Sequence, residues 1–257
     1  MKEGRSAAAG ALRSLRGLVP LAVVLLFWQY HSRTHSPSTP PPSEWWTAFK
    51  HIEGTGVLWT GLWVTLKLYV EGLVAAIVLG TALGVAWGSS RRLLQALSPL
   101  LEFLRATPAA AVVPVAILLF HATKKTEIGI VVYGSIWPIL LNTAAARSAL
   151  PPLRLDMAHS LRLSWFSRFR KVVLPSLLPA IMVSVRVAAP IALIVTILVD
   201  FLMATGGIGY LLIQYEQSFQ SASSFALLAL VGVVGILNDL LLTRIERTVL
   251  HRWPAGG

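Results

Sequence analysis

A few groups of residues in this 257-residue chain have types and spacings that invite chemistry. His31 and His35 stand four apart, a spacing that puts two imidazoles on one face of a helix, as a metal site requires. Pro37 follows at once, no third ligand is near, and the other histidines (51, 121, 159 and 251) are scattered, so no metal is expected. Thr205-Gly-Gly-Ile-Gly-Tyr210 has the glycine density of a phosphate loop. It lacks a preceding strand and a terminal Lys-Ser/Thr, so it is not read as a nucleotide site. Arg186 interrupts the apolar run Leu177–Val199. An intramembrane arginine is costly and faces either a cavity, where it attracts an anionic solute, or a structural partner such as Asp239, Asp200 or backbone carbonyls. Lys67 and Glu71 are one helical turn apart and are expected to pair with each other. No nucleophile–base pairing or carboxylate dyad is visible. No catalytic residue and no cofactor of the chain's own is thus named from spacing alone.

The elements that position these charges follow from composition. The chain is 55% hydrophobic and 13% charged, and it has no cysteine; ordinary soluble domains carry about 25% charged residues. Its mean hydropathy is +0.69. A disordered chain, a disulfide scaffold and a Cys-ligated metal protein are excluded. Six apolar runs approach the roughly 20 residues that span a bilayer: Leu18–Tyr30, Leu58–Trp87, Leu100–Phe120, Ile128–Ala146, Leu177–Val199 and Phe225–Leu242. An all-α, polytopic membrane protein with about six transmembrane helices is expected, since a helix satisfies its own backbone inside lipid.

The first run follows Lys2, Arg5, Arg13 and Arg16 but precedes no small-residue cleavage site, so it is read as a retained anchor. Ser36-Pro-Ser-Thr-Pro-Pro-Pro-Ser43 reads as an extended external linker. The chain then divides into a cytoplasmic N-terminus (1–17), a first transmembrane helix (18–30), a Pro-rich external segment (31–56), a transmembrane core (57–248) with a cytoplasmic loop at 150–175, and a cytoplasmic tail (249–257).

The formal charge of +11 first suggests nucleic acid. With the N-terminus inside, sixteen of the 22 Lys and Arg fall on the cytoplasmic side and four (Arg33, Lys50, Lys124, Lys125) outside. That bias orients the chain in the cell membrane with both termini cytoplasmic. The basic excess is thus a topology signal directed at lipid headgroups, and no nucleic-acid partner is expected. Gly80, Gly84 and Gly88 form a small-residue stripe suited to close helix packing. Pro108, Pro114, Pro138 and Pro190 are expected to interrupt or kink helices.

Pro151 and Pro152 end the fourth long apolar run. Beyond them Leu155, Ala158, Leu161 and Leu163 recur near one helical face, with Asp156, His159 and Arg162 more polar. Phe166, Phe169, Val172 and Val173 suggest a second short amphipathic piece. Such an element either lies on the membrane or docks into a groove on another protein.

This loop resembles that of inner-membrane permeases of ABC importers, which carry Glu-Ala-Ala, three residues, Gly, nine residues, a hydrophobic residue, any residue, Leu and Pro. Here Asp156-Met157-Ala158, then His159-Ser160-Leu161, Arg162, Val172, Leu174 and Pro175 occupy that register. The resemblance runs from about Trp59 to Trp253. It includes Arg105-Ala-Thr-Pro108 with Pro114, Pro138-Ile-Leu-Leu-Asn142, Ser184-Val-Arg186, Asp200 where Glu is usual, Gly207-Ile-Gly-Tyr-Leu-Leu212, and Asp239 followed by Arg244-Ile-Glu-Arg247. The ordered set points to the subfamily handling nitrate, taurine, aliphatic sulfonates and thiamine-precursor pyrimidines.

The resemblance implies a type I importer fold and a permease without its own ATP site. Mg-ATP would be used by a separate ATPase dimer docked on the loop through Asp156, Met157, Ala158, His159, Ser160, Leu161, Arg162, Leu174 and Pro175. It further implies a second permease, identical or not, an extracytoplasmic solute-binding protein, and a path near Arg186, Asn142 and Asp200. A small anion is the first expectation for the solute and a thiamine-precursor pyrimidine the second. The alternative from another class is an ATPase-independent channel or membrane-embedded enzyme. Arg162 is the serious departure, because Gly tolerates positive φ and Arg is strained there. The intact register to Pro175 favours a turn with negative φ at this position.

Overall fold

The computed structural model describes residues 19–32 and 39–251, without the side chains of Leu155, His159, Leu250 and His251. The expected cytoplasmic N-terminus (1–17), the last six residues of the tail, and residues 33–38 of the Pro-rich segment, His35 among them, lie outside the described residues. Among those described, every regular element is helical: α1 (Val19–Ser32), α2 (Pro42–Gly54), α3 (Val57–Gly88), α4 (Arg91–Ala106), α5 (Ala109–Phe120), α6 (Lys124–Ser148), α7 (Pro152–Ser160), α8 (Trp165–Arg168), a π-helical turn (Phe169–Val173), α9 (Leu174–Met203), α10 (Ile208–Gln217) and α11 (Ser221–His251).

Four of these are long and apolar enough to cross a membrane: α3, α6, the continuous helix Trp165–Met203, and α11. The pair α4–α5 makes a fifth if counted together. The first expected run appears as α1, shorter than a full span over its described length. The third is not one straight helix, because α4 and α5 meet at 91°. Pro108 explains the break: it holds Thr107 extended (φ −73°, ψ 118°) and has no N–H for the Leu104 carbonyl, which accepts from the Thr107 N–H at 3.3 Å and from the Tyr133 hydroxyl at 2.7 Å. Pro114, Pro138 and Pro190, expected to interrupt helices, lie inside continuous ones. The linker expectation also fails at its end, since α2 starts at Pro42. Proline suits that position, where its φ is already helical and its missing N–H would be unpaired anyway.

The described residues form two compact units. One comprises residues up to Trp59 with Leu211–Leu230. In it Trp28 meets Trp45 and Phe225 edge-on at 5.5 and 5.2 Å, while Trp45 stacks on Phe225 at 5.6 Å. The other, Thr60–Tyr210 with Val231 onward, has its core along α6 and α9, around Val131, Ile139, Leu177, Ala188, Ala192 and Val199.

In this second unit α3 lies against α6 through the expected glycine stripe. A Cβ at Gly84 would sit 2.7 Å from both the Leu140 carbonyl oxygen and Thr143 Cβ, and one at Gly80 would sit 3.0 Å from Ile139. Replacing Gly84 by Val is expected to destabilise the purified protein by about 1–3 kcal/mol. Gly232→Val, where nothing lies within 4 Å, should stay within about 0.5 kcal/mol. Thermal unfolding in detergent compares the two.

Candidate coupling loop and intramembrane charges

The segment between α6 and α9 is mostly helix. α6 ends at Ser148, Pro152 opens α7, and α8 starts behind a Ser164 cap whose hydroxyl accepts from the Ser167 N–H at 3.3 Å. From Trp165 onward the chain does not break: α8, the π turn and α9 form one helix of 39 residues. The π turn closes with the Leu174 N–H donating to the Phe169 carbonyl. Pro175, at the start of α9, lacks only an N–H, so the backbone passes through it. The second half of the expected loop is therefore the base of a membrane helix.

α7 and the turn that ends it expose Leu153, Met157 and Leu161, at 69%, 58% and 71%. Their spacing of four places them in one stripe. Trp165 and Phe166 beside them are also exposed, and Trp165 stacks on Phe169 at 6.1 Å. Asp156 and Ser160 are exposed, the Ser160 hydroxyl donating to the Asp156 carbonyl at 3.0 Å. Ala158 is only 2% exposed, so it packs inside the protein and contributes nothing to the outer stripe. Leu161, expected on the same face as Ala158, points the other way. Leu174 and Pro175 are half-buried. Leu153, Trp165 and Phe166 were missed as site residues, although the four-residue spacing of Leu153, Met157 and Leu161 was visible in the sequence.

The turn after α7 corrects the expectation for Arg162. Its φ is +49°, in the left-handed region. The Leu163 N–H donates back to the Ala158 carbonyl at 3.2 Å, the six-to-one bond of a left-handed helix cap. The glycine-type geometry is kept, and Arg bears a strain of about 1–2 kcal/mol.

The three expected path residues do not converge. Arg186 engages α11: its Nε lies 3.3 Å from Asp239 Oδ1 and its guanidinium 3.6 Å from Glu246 Oε2. That is the clamp reading, with the cation already matched by two carboxylates. Asp200 lies fourteen residues further along α9, about 21 Å away, and is fully buried. It accepts from the Thr65 and Thr205 hydroxyls, each at 2.5 Å, and Thr65 Oγ1 in turn accepts from the Ile208 N–H at 2.8 Å.

The glycine-rich stretch 205–210 serves this knot. A Cβ at Gly207 would overlap the Asp200 carboxylate, and one at Gly209 would overlap the Ile197 carbonyl oxygen. Asn142 is exposed on α6, apart from that knot. The expected Lys67–Glu71 pair is also replaced: Glu71 pairs with Lys124 at 3.4 Å, and Lys124 with Glu127 at 3.3 Å. Lys124 opens α6 beside this part of α3 and offers Glu71 a cation from another helix.

Residues 72–251 match the family described as the binding-protein-dependent transport system inner membrane component. The chain belongs to this family. It is a multi-pass membrane protein and a permease subunit of an ABC importer, and the channel and membrane-enzyme alternatives are set aside. Among similar proteins, SsuC of Bacillus subtilis, named for aliphatic sulfonates transport, is 28% identical over 93% of this chain and 87% of its own length. The bicarbonate transport system permease protein CmpB of Synechococcus elongatus is 28% identical over 98% of this chain and 94% of its own. A chain of the inward-facing MetNI methionine ABC transporter shares the fold, with a TM-score of 0.65, 19% identity, and coverage of 77% of this permease and 98% of that chain.

Within this permease, Arg162→Gly is expected to stabilise the α7 cap by about 1 kcal/mol and slow hydrogen exchange at the Leu163 amide roughly fivefold. Arg162→Val should speed it.

Proposed function

We propose that this permease works in an importer for a small anion and takes its driving motion from a separate ATPase dimer docked on α7 and α8. The observation that carries the docking is the exposed apolar stripe Leu153, Met157 and Leu161, on a segment outside the long spans, continued by Trp165 and Phe166 at the very start of the Trp165–Met203 helix. An apolar helix face with i, i+4, i+8 anchors suits a groove on a partner protein. The motif register from Asp156 to Pro175 and the charge bias support placing this face in the cytoplasm, with both termini on the same side.

The mechanics follow from the backbone. A force applied at Trp165 passes along one unbroken helix to Met203. α6, packed along α9, carries the other end of the segment through α7. ATP binding and hydrolysis by the partner would therefore rock α6 and α9 together. A pair of permeases would enclose the path, and a solute-binding protein would deliver to the opposite face. Such switching requires each ligand to prefer one state. The relatives named for sulfonates and bicarbonate support an anion as solute. Arg186, matched by Asp239 and Glu246, acts in this scheme as a brace between α9 and α11, and Asn142 is the exposed polar group left for the path.

Met157→Asp puts a charge in the stripe without touching the core. ATPase co-purification is expected to fall at least tenfold, with loss of anion uptake, because an unpaired charge in an apolar interface costs more than 1.4 kcal/mol. Unchanged co-purification and uptake would refute the docking.

A further inference from the structure

Where α3 and α6 end, a recess of about 410 Å³ opens between α3 and the α8–π segment. Its walls are of two kinds. Ala82 and Val85 of α3, with Phe169, make an apolar end; Ser89, Arg147 and Arg168 make a polar one. From Ala82 to Ser89 the recess extends about 10 Å along α3, so it runs from the helix ends into the span. Arg147 and Arg168 repel each other across it, and no carboxylate of the described residues pairs with Arg147. The Ser89 hydroxyl is already spent on the Val85 carbonyl at 2.7 Å. On the other side of Arg147 a second recess of about 560 Å³ brings in Arg91, which strengthens the positive field.

An acidic side chain or a free anion arriving from water meets the arginines but leaves the Ala82–Val85 end empty. The occupant that fits both ends has an anionic head and an apolar tail, and basic pockets between helix ends on the cytoplasmic side suit anionic lipid headgroups. We propose that this recess binds an anionic phospholipid, its phosphodiester between Arg147 and Arg168 and one acyl chain along Ala82, Val85 and Phe169. The bound lipid ties the end of α6 to the start of the Trp165–Met203 helix and so sets the resting position of both arms of the coupling segment. Trp165 and Arg168 of α8 also line the recess, so it borders the docking face; lipid retention and ATPase co-purification are separate readouts, so either proposal can fail alone.

The test is native mass spectrometry of the delipidated full-length protein, purified with its associated subunits and titrated with phosphatidylglycerol or phosphatidylcholine. Phosphatidylglycerol is expected to be retained in preference. Arg147→Gln and Arg168→Gln should each weaken its retention on the order of fivefold, while Arg244→Gln, outside the recess, leaves it unchanged. Arg147→Lys and Arg168→Lys should keep the preference, which separates lost charge from lost fold. Glycerol 3-phosphate, a head without a tail, should not displace the lipid at millimolar concentration. Equal retention by the wild type and the double Gln variant overturns the proposal. Displacement by glycerol 3-phosphate overturns it in favour of a soluble-anion site, and loss in the Lys variants overturns it in favour of a purely structural role.

Discussion

The unbroken helical path from Trp165 to Met203 is the constraint on which the rest of this permease depends. Inside lipid no other geometry satisfies every N–H and C=O of a single segment. The π turn and Pro175 sit in this helix without ending it: the π turn re-routes one bond, and Pro175, inside the continuous helix, gives up one. One molecular rod thus begins beside the exposed α7 stripe and ends in the buried Asp200 knot. Its two ends have opposite character. At Trp165 it offers apolar surface to a partner. At Asp200 it is held to α3 by Thr65 and to the following turn by Thr205.

Around this rod, contacts are arranged so that helices approach closely where rigidity is needed. Gly80 and Gly84 let α3 reach the backbone of α6, and Gly207 and Gly209 let the turn after α9 close over Asp200. Two sets of charges within the spans are matched across helices: Arg186 with Asp239 and Glu246, and Glu71 with Lys124. An unmatched charge there carries the penalty of desolvation. The strain at Arg162 is the exception, a cost accepted in a turn that keeps the left-handed geometry glycine has in the family pattern.

Much of the fold was legible in the sequence, because hydropathy and spacing act locally. The long spans, the glycine stripe and the helix end at Pro151 and Pro152 all follow from residue type alone. What could not be read depends on neighbours distant in the chain. Glu71 pairs with Lys124 rather than Lys67 because α6 begins beside α3. Asp200, placed near a path by resemblance, is buried because Thr65, 135 residues away, reaches it. Ala158 fits the polar-apolar pattern of α7 equally well inward or outward, and only its burial in the folded chain decides. Arg162 misled for a different reason: intrinsic preference argued for negative φ, and the six-to-one bond from Leu163 outweighs it.

The central claim is that the α7 face meets the ATPase. The chain contains no cysteine, so a single one reports contact without background. A thiol cross-linker of short reach should join Met157→Cys to a cysteine-bearing ATPase subunit in the assembled transporter, in a yield that changes when ATP is bound. Phe219→Cys, in the turn between α10 and α11 and 93% exposed, should give no such product. Cross-linking from position 219 and none from 157 would contradict the account.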